Sequence, residues 1–255
     1  MCELFGLSAS APAAVRNTPL GRFPPRGGQV ADNPDGWGLA WREADGPATG
    51  KFQLAKEPTP GWQSARFARL AETLVSDLVV GHVRKARFPP VNSLNNTHPF
   101  QRECCGRNWV FAHNGLVPEV VELERDNRDR YCRPEGETDS EFAFCHLLGQ
   151  LHGHPAGDWL AKLGRISASI AQRGKFNFLL SDGIHLIAYG HDRLHFLETT
   201  GGPEAVALVA TEPLSDHPGW TSFAPGELRI YRSGALVERL SPPASWADTG
   251  IEAMP

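Results

Sequence analysis

Cys2 is the residue whose placement first suggests chemistry. Only the initiator methionine precedes it, and methionine is commonly trimmed before a small side chain, so the expected mature chain starts at Cys2 with a free α-amine and a thiol on one residue. An α-amine has an unperturbed pKa of about 7.7–8.0, so near neutral pH a useful fraction is able to accept a proton. A thiol with a pKa of about 8.5 needs such a base to become a reactive thiolate. Nucleophile and base would then come from a single residue. The plainer reading, a small buried hydrophobe in a first strand, is the commoner fate of a cysteine, and partners are needed to displace it.

Three groups at expected element ends are candidate partners. Gly81-His82-Val83-Arg84 ends in a guanidinium whose planar fork matches a carboxylate bidentately, although alone it reads equally well as a surface charge. His113-Asn114-Gly115 offers a side-chain amide from Asn114 and a backbone N–H that Gly115 leaves approachable, the donor pair an oxyanion hole requires. Taken alone, Asn-Gly is a turn signal. Glu137-Thr138-Asp139-Ser140 puts Asp139 in the first turn of a helix, where a carboxylate both favours the helix dipole and can grip an ammonium group. His82, His98 and His113 read as structural hydrogen-bonding residues, because the α-amine already supplies a base. The tryptophans, Trp37 among them, read as packing.

These residues need elements to hold them. Residues 2–9 read as a buried strand with a close approach at Gly6, and residues 17–34, rich in Pro, Gly and Arg, as a loop. Residues 35–41 turn into a strand whose hairpin partner is residues 51–56, across Ala44-Asp45-Gly46-Pro47. Phe67, Leu70, Ala71 and Leu74 recur at helical spacing. Residues 78–84 and 109–112 are short apolar strands, the second stopping at His113, with a proline-containing loop from residue 85 to 96 between them, of which residues 87–96 are a candidate lid. Residues 125–137 mix acids and bases like a solvated loop. Thr138 with Glu141 is a capping-box pattern that starts a helix, and Trp159, Leu163, Ile166 and Ile170 mark another, closed by Gly174. Residues 176–181 and 184–190 form a hairpin around Asp182-Gly183, and four more strands are expected at residues 194–198, 205–211, 228–232 and 235–240. Many strands with helices grouped between two sets of them fit an α+β architecture of two packed sheets with helices outside.

Length and composition set bounds. The 255 residues suffice for a large core, and a single domain over residues 2–240 with a loose Pro- and Ala-rich tail at 241–255 is expected. A formal charge of -4 supplies no basic field for nucleic acid, and no run of about 18 apolar residues is available to span a membrane. No secretory signal is recognisable, so a cytoplasmic protein is expected. Cys2, Cys104, Cys105, Cys132 and Cys145 lack C-x-x-C spacing and fit reduced thiols, with no metal site and no cofactor indicated.

Five separated motifs, in order, carry a resemblance to a family. Cys2-Glu3-Leu4-Phe5-Gly6, Gly81-His82-Val83-Arg84, Asn96-Thr97-His98-Pro99-Phe100, Ala112-His113-Asn114-Gly115 and Gly136-Glu137-Thr138-Asp139-Ser140-Glu141 resemble the motifs of class II glutamine amidotransferases, closest to their compact YafJ-like branch. The resemblance implies an N-terminal-nucleophile hydrolase fold, a four-layer αββα sandwich, and release of ammonia from the glutamine side chain through a thioester. It implies Cys2 as nucleophile, Asn114 and Gly115 as oxyanion hole, Arg84 as ligand of the glutamine α-carboxylate and Asp139 as ligand of its α-amine. After Arg84 the chain has Lys85, Ala86, Arg87 and Phe88, where related synthases have an aromatic residue, Ala, Thr and His. The ammonia would pass to a separate accepting enzyme or be released. Two other readings share the site: hydrolysis of another γ-glutamyl amide or peptide, and a binding or regulatory module that has lost the chemistry.

Overall fold

The structure of the protein, a computed structural model, describes residues 1–43, 51–87, 90–126, 131–152, 159–199 and 204–241. The chain begins with strands β1 (Glu3–Ala14), β2 (Trp37–Arg42), β3 (Phe52–Glu57) and β4 (Val75–Val83). β5 (Phe100–Cys104), β6 (Arg107–Leu116), β7 (Lys175–Ser181) and β8 (His185–Gly190) follow. The last strands are β9 (His195–Thr199), β10 (Val206–Ala210), β11 (Thr221–Ser222), β12 (Glu227–Arg232) and β13 (Ala235–Leu240). The helices are α1 (Ala65–Thr73), α2 (Glu119–Asp126), α3 (Asp139–Leu151) and α4 (Trp159–Ala171).

Among the described residues the strands form two antiparallel sheets, ordered β11-β9-β10-β1-β4-β2-β3 and β13-β12-β8-β7-β6-β5. The period of two in each strand builds the layers. Phe5, Leu7 and Ala9 of β1 pack with Leu20, Phe23, Phe67 and Leu74, the layer of α1 and the turns before β2. Leu4 points the other way, into a core it shares with Val110, Ala112, Leu179 and Leu186 of the second sheet. Gly6 is on that same inner face, where a Cβ would come within 3.1 Å of the Leu179 and Leu186 methyl carbons. On the far side of the second sheet, Phe111, Phe176 and Phe178 meet Val120, Phe144, Leu147, Leu148, Leu163 and Ile170 from α2, α3 and α4. Three apolar cores therefore separate four layers, helix, sheet, sheet, helix, the αββα sandwich that the family resemblance implies.

Local signals explain why the helices begin where they do. Ser64 caps α1 by accepting from the Phe67 N–H at 3.1 Å, and Thr138 caps α3 by accepting from the Glu141 N–H at 3.2 Å. Glu141 does not complete the reciprocal half of the capping box. Its carboxylate, almost fully buried, accepts instead from Glu135 N–H at 3.0 Å and Gly136 N–H at 2.7 Å and pairs with Arg102, so it folds the approach to the helix.

Several expectations are corrected. Residues 17–34 contain short 3-10 turns at Pro19–Arg22 and Pro24–Arg26, preceded by one at Val15–Asn17, because Leu20 and Phe23 are needed in the core under β1. The strand at 109–112 does not stop at His113: β6 continues through Asn114 and Gly115, paired with Asn177 and Phe176 of β7. Tertiary pairing overrides the turn propensity of Asn-Gly. The short elements β5, β11 and α2 carry too little periodicity to be read from sequence. Cysteines expected to be separate thiols are brought together: Cys132 and Cys145 are joined by an S–S bond of 2.11 Å, Cys104 and Cys105 are joined in the turn between β5 and β6, and Cys2 is free. The pairing of Cys132 with Cys145 arises because the segment before α3 folds back along that helix. The turn at residues 44–47 and the tail from residue 242 lie outside the described residues, as do Phe88 and Pro89 of the candidate lid.

Candidate active site

Cys2 stands immediately before β1, and β1 pairs with β4 so that Glu3 lies opposite Val83. The chain leaving β4 therefore passes the sulfur. Cys2 Sγ accepts from Lys85 N–H at 3.2 Å and donates to Lys85 O at 3.4 Å. Burial pushes the thiol pKa up, opposed by the Lys85 N–H and by the nearby Arg84 charge. A thiol in this setting stays protonated at neutral pH until a base is supplied. In the structure Met1 precedes Cys2, whose nitrogen is then a peptide amide.

Arg84 is buried at the end of β4. Its Nη1 donates to Asn92 Oδ1 at 3.0 Å, Val91 O at 3.2 Å and Asp35 O at 3.3 Å. Burial lowers its pKa, while Asp35 and Cys2 oppose that. Asp35, which the sequence reading took only as part of a turn, braces this region: Oδ2 accepts from Ala86 N–H at 2.8 Å and Oδ1 from Asn92 Nδ2 at 3.3 Å. Asn96 is a second such brace, its Oδ1 accepting from Glu137 N–H at 2.9 Å, which ties the segment after Arg84 to the start of α3. An aspartate before a glycine carries no signal of this work in sequence, and Asn96, although it opens one of the five motifs, is not marked there as a brace.

On the second sheet, alternation along β6 sends His113 toward α3 and Asn114 toward the first sheet. His113 is held at both nitrogens, Nδ1 to Ser140 Oγ at 2.8 Å and Nε2 to Lys175 O at 3.1 Å. Asn114 Nδ2 donates to Thr211 Oγ1 at 3.3 Å, and the same hydroxyl accepts from Leu4 N–H at 2.9 Å. Gly115 admits no side chain, since a Cβ would come 1.9 Å from Lys175 O. Asp139, the first residue of α3, accepts from Val117 N–H at 2.7 Å and from Ser140 N–H at 2.9 Å, which fixes its carboxylate beside the end of β6.

Cys2, Arg84, Gly115 and Asp139 line one cavity of about 320 Å³, together with Lys85, Arg87, Asn96, His98, His113 and Glu137. Asn114 is buried behind Gly115 and is not part of the lining. Of the five residues singled out in the sequence, four share the hollow and the fifth underlies it. The cavity carries a guanidinium from the end of β4 and a carboxylate from the start of α3, a pairing of charges suited to a zwitterion, and the Cys2 thiol lines the same cavity. Among the described residues the group of three potential metal-ligating side chains that lies close together is Cys104, Cys105 and His152, whose two cysteines are joined to each other, and none of the three lines this cavity.

Two facing antiparallel sheets between helical layers form a four-layer sandwich of the N-terminal-nucleophile hydrolase type. A glutamine phosphoribosylpyrophosphate amidotransferase from Bacillus subtilis shares this fold over 94% of the present chain and 49% of its own, with a TM-score of 0.68 at 18% identity. The model of the class-II glutamine amidotransferases matches residues 1–200 and 196–251. YafJ of Escherichia coli K12, provisionally named a glutamine amidotransferase, is 36% identical over 267 residues, covering 93% of this chain and 100% of YafJ. A Pseudomonas aeruginosa protein, described as a glutamine amidotransferase by prediction, has a crystal structure with a TM-score of 0.67 and 30% identity, covering 93% of this chain and 100% of that one. A γ-glutamyl-hercynylcysteine sulfoxide hydrolase of Mycolicibacterium smegmatis is 28% identical, covering 80% of this chain and 81% of its own length. The chain belongs to the class II glutamine amidotransferases.

Proposed function

We propose that the protein hydrolyses the side-chain amide of glutamine, releasing ammonia through a thioester on Cys2, once Met1 has been removed. The observation that carries this reading is the single cavity shared by Cys2, Arg84, Gly115 and Asp139. Arg84 binds the α-carboxylate and Asp139 the α-ammonium, which brings the side-chain carbonyl to the sulfur. The freed α-amine takes the thiol proton that burial otherwise holds in place, and the thiolate attacks the carbonyl carbon. The Gly115 N–H at the cavity wall and Asn114 Nδ2, which gives one of its two hydrogens to Thr211 behind that wall and must turn the other into the cavity, steady the oxyanion. The ammonium of Cys2 then protonates the departing ammonia, and water repeats the cycle on the thioester to give glutamate. The ammonia passes to a separate enzyme or leaves as product, in the cytoplasm. One domain over residues 2–240 carries the reaction.

A second reading, hydrolysis of another γ-glutamyl amide or peptide, is favoured by the likeness to the Mycolicibacterium smegmatis hydrolase and by the exposed Arg87 on the cavity wall, a cation available to a larger leaving group. Turnover of glutamine against γ-glutamyl dipeptides, with processed protein and a Cys2→Ala control, separates the readings. Faster turnover of glutamine supports the first. A strong preference for a dipeptide replaces it with the second, and no Cys2-dependent turnover of either leaves a non-catalytic module.

A further inference from the structure

Arg84 is anchored through one nitrogen of its guanidinium and open along the opposite edge. Nη1 shares its two hydrogens among Asn92 Oδ1 at 3.0 Å, Val91 O at 3.2 Å and Asp35 O at 3.3 Å. The hydrogens on Nε and Nη2 have no acceptor among the described residues, yet neither atom is sealed from solvent, although the residue as a whole is only 7% exposed. Because Arg84 lines the cavity, the side that solvent reaches is this Nε–Nη2 edge, one of the faces on which a guanidinium meets a carboxylate bidentately.

A planar group held by one nitrogen keeps its direction only if its acceptors are themselves fixed. Asp35, itself buried, fixes two of the three. Its backbone N–H donates to Arg84 O at 3.0 Å, which carries the pairing of β2 with β4 past Trp37 and Val83 and sets the Asp35 carbonyl in place for Nη1. Its Oδ1 accepts from Asn92 Nδ2 at 3.3 Å and so holds the amide whose oxygen is a second acceptor of Nη1. Its Oδ2 accepts from Ala86 N–H at 2.8 Å. Between Arg84 and Ala86, the Lys85 N–H donates to the Cys2 sulfur at 3.2 Å. One carboxylate therefore ties the guanidinium and the backbone that carries the nucleophile into a single short unit. The Asp35 charge also opposes the fall in the Arg84 pKa that burial causes.

We propose that Asp35, acting with Asn92, is a positioning residue that turns the Nε–Nη2 edge of Arg84 into the cavity, at a set distance from Cys2, and so restricts substrates to γ-glutamyl compounds whose α-carboxylate is free. This role rests on the reading that Arg84 binds that carboxylate, and adds to it what aims the fork and which substrates are refused. A glutamine inside a peptide chain, whose α-carboxyl is already an amide, offers the fork no anion.

Two chromogenic substrates separate aiming from folding: γ-glutamyl-p-nitroanilide and 4-aminobutanoyl-p-nitroanilide, which differ only in the α-carboxylate. In Asp35→Asn, kcat/KM for the first is expected to fall by about tenfold or more, the worth of a hydrogen bond to a charged group, chiefly through KM. For the second it is expected to stay within a few-fold of wild type. Asn92→Ala, at an exposed residue, is expected to move the ratio of the two in the same direction. An unchanged ratio in Asp35→Asn, whether both rates fall together or neither does, overturns the proposal. Should Asp35→Asn fail to fold, Asn92→Ala decides by the same ratio. Where either substrate turns over too slowly to measure, the affinities of glutamate and 4-aminobutanoate, read by calorimetry, supply it. A wild-type protein with no preference for the carboxylate, or a preference that survives Arg84→Ala, removes Arg84 from substrate binding and this role with it.

Discussion

Asn114 and Thr211 join the two sheets directly beneath the proposed oxyanion site, Nδ2 to Oγ1 at 3.3 Å. Because the same hydroxyl accepts the Leu4 N–H at 2.9 Å, one side chain sets the position of an amide on β6 relative to the start of β1. The nucleophile is two residues from that anchor. Thr211 is almost fully buried, so both bonds are shielded from water. A loss at Thr211 therefore leaves unsatisfied donors on both sheets.

Thr211→Val keeps the shape and removes both bonds. Stability is expected to fall by about 1–3 kcal/mol, which lowers Tm by several degrees in a chain of this size. Turnover is expected to fall as well, by less than in Asn114→Ala, where loss of one oxyanion donor costs about 2.7–4 kcal/mol of barrier, a factor of roughly a hundred or more. Steady-state kinetics on the two variants check the order. Turnover in Asn114→Ala within a few-fold of wild type sinks the oxyanion assignment.

Arg84→Lys keeps the charge and loses the fork. Lysine supplies a single point charge where the guanidinium reaches Asn92 and the backbone of Asp35 and Val91 together. KM for glutamine is expected to rise by roughly ten- to a hundredfold, the worth of a charge-assisted hydrogen bond, with a smaller change in kcat. A fall in kcat at constant KM would move Arg84 out of substrate binding.

Gly115→Ala tests the close approach of β6 and β7. The added carbon would meet Lys175 O at 1.9 Å and His113 Nε2 at 2.7 Å, and a backbone atom has no rotamer by which to give way. Destabilisation of about 1–3 kcal/mol or more is expected, read as a shift of the denaturant midpoint. An unshifted midpoint means the strands separate here without cost.

The buried histidines predict a direction for stability against pH. His82, His98 and His113 are all held below their ordinary pKa by burial, His82 at about 3, so in this range the unfolded chain binds more protons than the folded one. Above about pH 6.5 the histidines are neutral in both folded and unfolded chains and add no pH dependence, and stability drains as pH falls from there toward the folded value. Each such histidine contributes at most about 1.4 kcal/mol per pH unit. Denaturant midpoints between pH 7 and 5 are expected to fall less steeply in His82→Asn than in wild type. Parallel curves for the two proteins would mean that His82 titrates normally.

The elements carrying strong periodicity were readable in advance. Phe67, Leu70, Ala71 and Leu74 mark α1, Thr138 with Glu141 marks the start of α3, and residues 176–190 fold as the hairpin their turn residues announce. What failed did so where long-range pairing outweighs a local preference. Asn114-Gly115 has the composition of a turn and lies inside a strand, because β7 pairs with it and the space there excludes any side chain. The braces at Asp35 and Asn96 were invisible for the complementary reason: their partners, Ala86 and Glu137, are 51 and 41 residues away.

The sequence by itself determined the inventory of chemistry: a cysteine after Met1, a strand-end arginine, an Asn-Gly pair, an acid at a helix start, and many strands whose alternation fits two packed sheets without requiring them. Tertiary structure alone decided that four of these residues share one hollow while Asn114 supports it from behind, that the Cys2 sulfur lies against the Lys85 backbone, and that His98 is buried with neither nitrogen paired. Periodicity is a local property of the chain, whereas distance, burial and the loss of hydration that sets protonation arise only when segments far apart in sequence are packed together.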